Sequence, residues 1–148
     1  MGFLTKSITP DTAGFLELVD ESIHFKFNML SRLHDNWHNG SNHFDAPGEK
    51  LLGAFYDGTL IGICGLNNDP YELQARTGRI RHLYVGSNYR KMNIGTNLLN
   101  AIIEGTGQHF DFLNTNAPRS AFSFYERIGF IRLNGINKVT HRLFLQAP

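Results

Sequence analysis

The chain has a single cysteine, no long hydrophobic run, and almost no excess of charge of either sign. Each shortage excludes something. Cys64, inside the apolar run "LIGICGL", has no partner for an internal disulfide, which fits a reducing compartment. No acidic or basic residue adjoins it, so it reads as a small buried hydrophobe rather than a nucleophile. No segment approaches the ~18 apolar residues of a membrane span, and the opening "MGFLTKSITPDTAG" shows neither a long apolar stretch nor a cleavage pattern. The expectation is a soluble, cytoplasmic protein without a membrane partner. Fourteen Lys and Arg against 13 Asp and Glu leave a net charge of +1, too little for the broad basic field of a nucleic-acid binder. Any anion site must be local. Repeats and low-complexity tracts are also missing. What remains, 148 residues with 41% hydrophobic and 12% aromatic content, suits one core and one domain, residues 1–148.

Along the chain, "FLTKSI" (3–8) alternates as a strand, and Thr9 before Pro10 suggests an N-cap followed by the first helical position. Phe15, Leu16, Leu18, Val19, Ile23, Phe27, Leu30 and Leu33 recur at spacings of three and four, which predicts one helix from about Pro10 to Leu33. "HDNWHNGSNHFDAPGEK" then reads as a long polar loop with room for a short helical turn. "LLGAFYDGTLIGICGL" (51–66) predicts a hairpin turning at Asp57 and Gly58. After "NNDP" and a polar stretch to Gly78, "RIRHLYV" (79–85) is a strand. A helix from Ile94 to about Glu104 follows, stopped by Gly105 and Gly107. Then come a strand (110–115), a helix from Pro118 to Gly129, and strands at 130–133 and 139–145. That order argues an α/β or α+β domain whose mixed sheet carries helices on both sides.

Between the strand 79–85 and the helix lies "YRKMNIGTNLL". Unpaired N–H groups at a helix start point outward at the positive end of the dipole, so such a turn can hold a pyrophosphate. Arg90 and Lys91 add charge, and Gly95 permits close approach. Position 93, where a second glycine would be expected, is Asn, the non-glycine residue that adopts left-handed backbone most readily and a leading N-cap.

The run Arg90, Lys91, Met92, Asn93, Ile94, Gly95, followed much later by "FYERIGF" (124–130), resembles the two signature motifs of the GNAT superfamily of acyl-CoA-dependent N-acetyltransferases. The resemblance covers roughly residues 50–145 and implies a mixed, mostly antiparallel sheet. It also implies acetyl-CoA as cosubstrate, with no metal. The pantetheine would pair with the backbone of Leu83, Tyr84 and Val85, with "FDFLNT" as the splayed partner strand. The pyrophosphate would sit on the turn and helix start through Ile94, Gly95 and Thr96. Asn116, Ser120 and Ser123 are nominated as further cofactor contacts, Asn116 having helix capping as its plain alternative. Tyr125 corresponds to the tyrosine to which protonation of the departing thiolate is ascribed, against a bland role as a core aromatic beside Phe122 and Phe124. A backbone N–H of Leu83 or Val85 would polarise the thioester carbonyl.

The base for the amine stays open. Where many family members carry a glutamate, this chain has Arg79, which cannot accept a proton. His82 has a suitable ordinary pKa, although a bulge in its strand would change which way it faces. The other candidates are His34, His38 and His43, with Asp35 and Trp37, or water. His34 and His38, four apart, could with Asp35 or His43 hold a metal, but a solvated or substrate-facing loop is the favoured reading. The sequence therefore reads as an N-acetyltransferase for a small-molecule or peptide amine, working in a ternary complex. A non-catalytic acyl-CoA-binding or partner-binding module on the same fold is the alternative. Dimers are common among such folds, and nothing in the sequence decides between monomer and homodimer.

Overall fold

Asp57 and Gly58 both adopt left-handed backbone (φ 47° and 83°), as a tight hairpin turn demands, and they join β2 (Lys50–Tyr56) to β3 (Thr59–Asn68). The computed structural model describes residues 3–72 and 76–145. Part of the polar stretch before Gly78 thus lies outside the described residues. β1 (Phe3–Ser7) pairs antiparallel with β2, and β3 with β4 (Thr77–Val85). β5 (Phe112–Thr115) lies parallel to β4, and β7 (His141–Phe144) joins β5 to β6 (Ile131–Arg132). Among the described residues the sheet has seven strands in the order β1-β2-β3-β4-β5-β7-β6, and β4 with β5 is its parallel pair. Helices cover both faces, as expected from the element order.

Two cores result. On one face, α3 (Ile94–Ile103) and α4 (Phe122–Ile128) bury Ile94, Leu98, Leu99, Ile102 and Tyr125 against Cys64, Leu66, Ile80 and Leu113. On the other, α1 (Phe15–His24) and α2 (Met29–His38) bury Phe15, Leu18, Val19, Leu30 and Leu33 against Leu51, Ile63 and Tyr84. Lys50 caps the C-terminal end of α3, its Nζ donating to the carbonyls of Ile102 (3.0 Å) and Glu104 (2.7 Å).

The long helix expected over 10–33 is two helices, and three of its supposed core residues, Leu16, Ile23 and Phe27, are exposed. It starts late because the Thr9 N–H bonds Thr12 Oγ1 and the Asp11 N–H bonds Thr9 Oγ1, closing a turn, and Gly14 (φ 94°) then resets the chain. It breaks because Lys26 (φ 67°) is left-handed, with Phe27 N–H bonding Ser22 O and Lys26 N–H bonding Ile23 O. This is a Schellman stop without the usual glycine. α2 then extends through His38, taking up the start of the segment read as a loop. β3 likewise continues through Asn67 and Asn68, shortening the expected turn. The helix expected from Pro118 begins as a short 3₁₀ turn, Arg119–Ala121, before α4.

Candidate active site

The site is organised by β4. Its ladder with β5 runs through Thr77↔Phe112, Gly78↔Leu113 and Arg79↔Asn114 and ends there, although β4 continues to Val85. Beyond Arg79 the strands part, so one backbone edge of β4 is open. The opening is a cleft of about 510 Å³ floored by Ile80–Val85 and walled by Thr115–Pro118, Ser120, Ala121, Phe124 and Tyr125. Phe27 and Met29, at the α1–α2 junction, and Arg90 complete it.

A bulge divides the strand. Ile63 pairs with Tyr84 and Gly65 with Arg81, so His82 and Leu83 together oppose Cys64. His82 takes the left-handed conformation (φ 62°) that accommodates the extra residue. The alternation shifts accordingly. Ile80, Leu83 and Val85 pack with the α3–α4 core, whereas Tyr84 joins the α1–α2 core and His82 meets Phe44 there. Arg79 and Arg81, which unbroken alternation would set on the face of Leu83, emerge instead toward α2 with Arg32.

Tyr125 is packed in the core and also borders the cleft. Its ring is buried among Phe124, Phe130 and His141, at centroid distances of 5.1, 5.3 and 6.3 Å, while the residue lines the cleft. Burial, and secondarily the nearby Cys64 thiol, push its phenol well above the ordinary range, against a hydrogen bond with Thr115. The hydroxyl is therefore protonated throughout the neutral range. Thr115 was not foreseen. Glu126, next in the motif, braces this corner: His141 Nε2 donates to it at 2.8 Å and Arg132 Nε at 3.0 Å, and those hydrogen bonds hold its carboxyl below the usual range.

Asn93 is left-handed (φ 63°) and stands at the N-cap of α3, the conformation for which Asn is the mildest replacement for glycine. Lys91 (φ 66°) is left-handed as well. A Cβ on Gly95 would meet the Phe124 ring at 3.5 Å and Val85 Cγ2 at 3.9 Å, both ordinary contacts. Arg90 folds back along the cleft, its Nε donating to Val85 O (3.0 Å) and its guanidinium 5.4 Å from the Tyr84 ring centroid. Tyr84 itself turns to the opposite face and donates to Glu21, which also accepts the Ser87 N–H at 3.0 Å. Burial and that carboxylate push its phenol up to about 12.

Asn116 and Ser120 border the cleft, and Asn116 makes no capping bond to the helical segment that follows. Ser123 is exposed and outside the lining; Lys91 to Thr96 are outside it too, with Lys91, Met92 and Asn93 exposed, Ile94 buried in the core and Gly95 and Thr96 half-buried, so the turn flanks the cleft rather than walling it. His82 does reach the cleft. Burial first, then the Arg81 and Arg32 guanidiniums, lower its pKa to about 3 despite a hydrogen bond to the Met29 carbonyl. It is neutral and a weak base.

The remaining histidines lie elsewhere. His34 and His38 stack on one another (4.4 Å), His38 meets Asp11 at 3.3 Å, and His43 donates to Trp37 O at 2.9 Å. None of them, nor Asp35 or Trp37, lines the cleft, and no group of three metal-ligating side chains occurs among the described residues. Cys64 is fully buried, its thiol pushed up to about 12 by burial. The described residues contain no helix long and apolar enough to cross a membrane.

Residues 15–130 match the acetyltransferase (GNAT) family. The chain belongs to that family. It is similar to human N-alpha-acetyltransferase 30, 32% identical in an alignment 111 residues long that covers 67% of this chain and 28% of that protein. The chain thus spans between 28% and 37% of the length of the curated relatives it matches. Among solved structures, a candidate acetyltransferase from Exiguobacterium sp. 255-15 superposes with a TM-score of 0.86 at 30% identity, covering 97% of this chain and 94% of that one. The PaiA N-acetyltransferase of Thermoplasma acidophilum, solved with coenzyme A, shares the fold (TM-score 0.70, 18% identity, 98% and 100% covered).

Proposed function

We propose that the protein transfers an acetyl group from acetyl-CoA directly to a primary amine of a small molecule or peptide while both are bound. The observation that carries this reading is the parting of β4 from β5 beyond Arg79 and Asn114, which opens a cleft where both motif ends, Arg90 and Tyr125, meet. The fit to acetyl-CoA rests on that open backbone edge and on the left-handed turn at Lys91 and Asn93 beside it. Leu83, Tyr84 and Val85 would pair with the pantetheine, and the turn from Arg90 to Thr96, with Asn116 and Ser120, would hold the rest. The coenzyme A complex of the Thermoplasma relative supports this assignment.

Acetyl-CoA supplies an activated thioester; the protein supplies position and protons. A free N–H of Leu83 or Val85 on the open edge stabilises charge on the carbonyl oxygen. The Tyr125 hydroxyl, held protonated, donates to the leaving sulfur. His82, its pKa lowered to about 3, does not hold the amine's proton, which leaves through the open cleft to bulk solvent and its buffer. In this reading residues 1–148 are one acetyltransferase domain acting in the cytoplasm. The likeness to an N-alpha-acetyltransferase supports a peptide amine as one acceptor class.

A free-thiol assay across an amine library, with acetylated product identified by mass, tests the proposal. Thiol release matched by N-acetylated product is expected. Coenzyme A binding without acceptor-dependent thiol release would favour a non-catalytic binding module instead.

A further inference from the structure

Next to the cleft, and sharing Met29, Ile80, Arg81, His82 and Asn116 with it, lies a second pocket of about 370 Å³. Arg32, Arg79, Arg81 and Lys138 line it, and no acidic residue does among the described residues. In a chain with net charge +1 this is a local concentration of cations drawn from α2, β4 and the segment before β7. Four positive charges at the rim of one small opening repel one another, a cost that an anionic ligand would relieve.

One buried carboxylate behind the pocket offsets part of this charge. Asp69, fully buried behind it, accepts the Tyr71 N–H at 2.9 Å and Asn114 Nδ2 at 3.0 Å, and approaches Arg79 Nη1 only to 3.7 Å. Arg79 is 6% exposed; its Nη2 donates to Lys138 O, and its Nη1 has no hydrogen-bond partner among the described residues. A buried guanidinium donor left unused is costly unless something arrives to accept from it. The Arg79 guanidinium and the Lys138 ammonium stand 4.9 and 4.2 Å from the Tyr71 ring centroid, which holds both at the pocket. Burial, together with the neighbouring Arg79 and Arg32 charges, lowers the Arg81 pKa against the pull of Tyr71 and Asp69, as expected for crowded cations.

We infer that the acceptor amine carries an anionic group, a carboxylate or phosphate, which this pocket grips while the amine reaches the shared boundary with the cleft. The inference rests on the acetyl-transfer reading of the adjoining cleft. Arg32 and Arg81 are its specificity-determining residues, and Arg79 is the buried donor behind them. The position where many family members carry a catalytic glutamate thus serves acceptor recognition here.

Matched acceptors test it: β-alanine against propylamine, phosphoethanolamine against ethanolamine, and peptides with Asp or Glu after the N-terminal residue against their Asn or Gln counterparts. With saturating acetyl-CoA, kcat/KM should favour the anionic member of at least one pair by roughly tenfold or more, chiefly through KM, and added salt should erode the preference. The first two pairs and the peptides separate a free small acceptor from a peptide terminus. Arg32→Met and Arg81→Met should each flatten the preference, with coenzyme A affinity measured by calorimetry unchanged in Arg32→Met, whose position lies outside the cleft. Arg32 is exposed on α2, so its variant keeps the test intact if replacing Arg81 disturbs the fold. Equal kcat/KM within every pair, or a preference indifferent to Arg32→Met, overturns the inference. If no amine releases thiol, the transfer reading falls, and calorimetric titration of the coenzyme A complex with the same pairs decides the pocket. Tighter binding of the anionic members, lost in Arg32→Met, sustains it; equal affinities overturn it.

Discussion

On one side of β4, the proposed phosphate turn and the helix it starts come from the uninterrupted stretch Arg90–Thr96; on the other, the basic pocket draws Arg32, Arg79, Arg81 and Lys138 from separate parts of the chain. The difference follows from what each side must recognise. Backbone N–H groups at a helix start bind phosphate wherever the turn is local, so a contiguous motif suffices. Gripping a particular acceptor takes side chains whose placement depends on the whole fold, here on the bulge at His82 that sends Arg79 and Arg81 toward α2.

The largest effect expected is on Tyr125, in the wall of the cleft. Tyr125→Phe keeps the ring in the core and removes one hydroxyl, so turnover should fall by roughly 10² with coenzyme A affinity unchanged. Because the parent phenol is held above its ordinary range, activity should persist to high pH and decline only as the phenol ionises, a limb the variant should lack. Steady-state kinetics within about threefold of the parent, with the same alkaline limb, would return Tyr125 to packing alone.

Arg90 probes the contiguous side. Arg90→Ala should weaken coenzyme A binding by roughly tenfold at low salt and less at high salt, because the lost contact is charge-assisted. Calorimetry at two ionic strengths checks this, and the acceptor preference should not move. An Arg90 variant that changed acceptor preference would break the separation of the two sides.

A smaller effect concerns the boundary between them. The folded pKa of His82, about 3, lies below its ordinary 6.5, so the unfolded chain binds the extra proton first. Its contribution to stability is complete above about pH 6.5 and is lost as pH falls toward 3. Thermal melts from pH 7 to 4 should therefore drop more steeply for the parent than for His82→Gln. Parallel curves would mean that His82 is better solvated than its burial implies.

The same contrast explains what the sequence made legible. The hairpin at Asp57–Gly58, the left-handed Asn93 and the "FYERIGF" helix are local features with local causes, and each could be read in order. The break between α1 and α2 could not. Lys26 takes the left-handed position that glycine usually marks, and Ile23, Phe27, Leu30 and Leu33 carry the helical spacing straight across it. With the helix read as continuous, a base for the amine is expected after it, at His34, His38 or His43, whereas Phe27 and Met29 at the break line the cleft and Arg32 on α2 lines the basic pocket beside it. Asn28, a good N-cap residue, was the one local signal. Thr115 and Lys138 had no signal of their own, since each matters only through a partner distant in sequence.

In the proposed reading each side of one strand holds its own ligand, so both must be present when the acetyl group moves, and the chain's only cysteine is buried with its thiol pushed up to about 12. Initial-velocity kinetics varying acetyl-CoA against an accepted amine test this most directly. The account predicts intersecting double-reciprocal lines and no acetylated protein by mass after incubation with acetyl-CoA alone. Parallel lines with a stoichiometric acetyl-enzyme would contradict it.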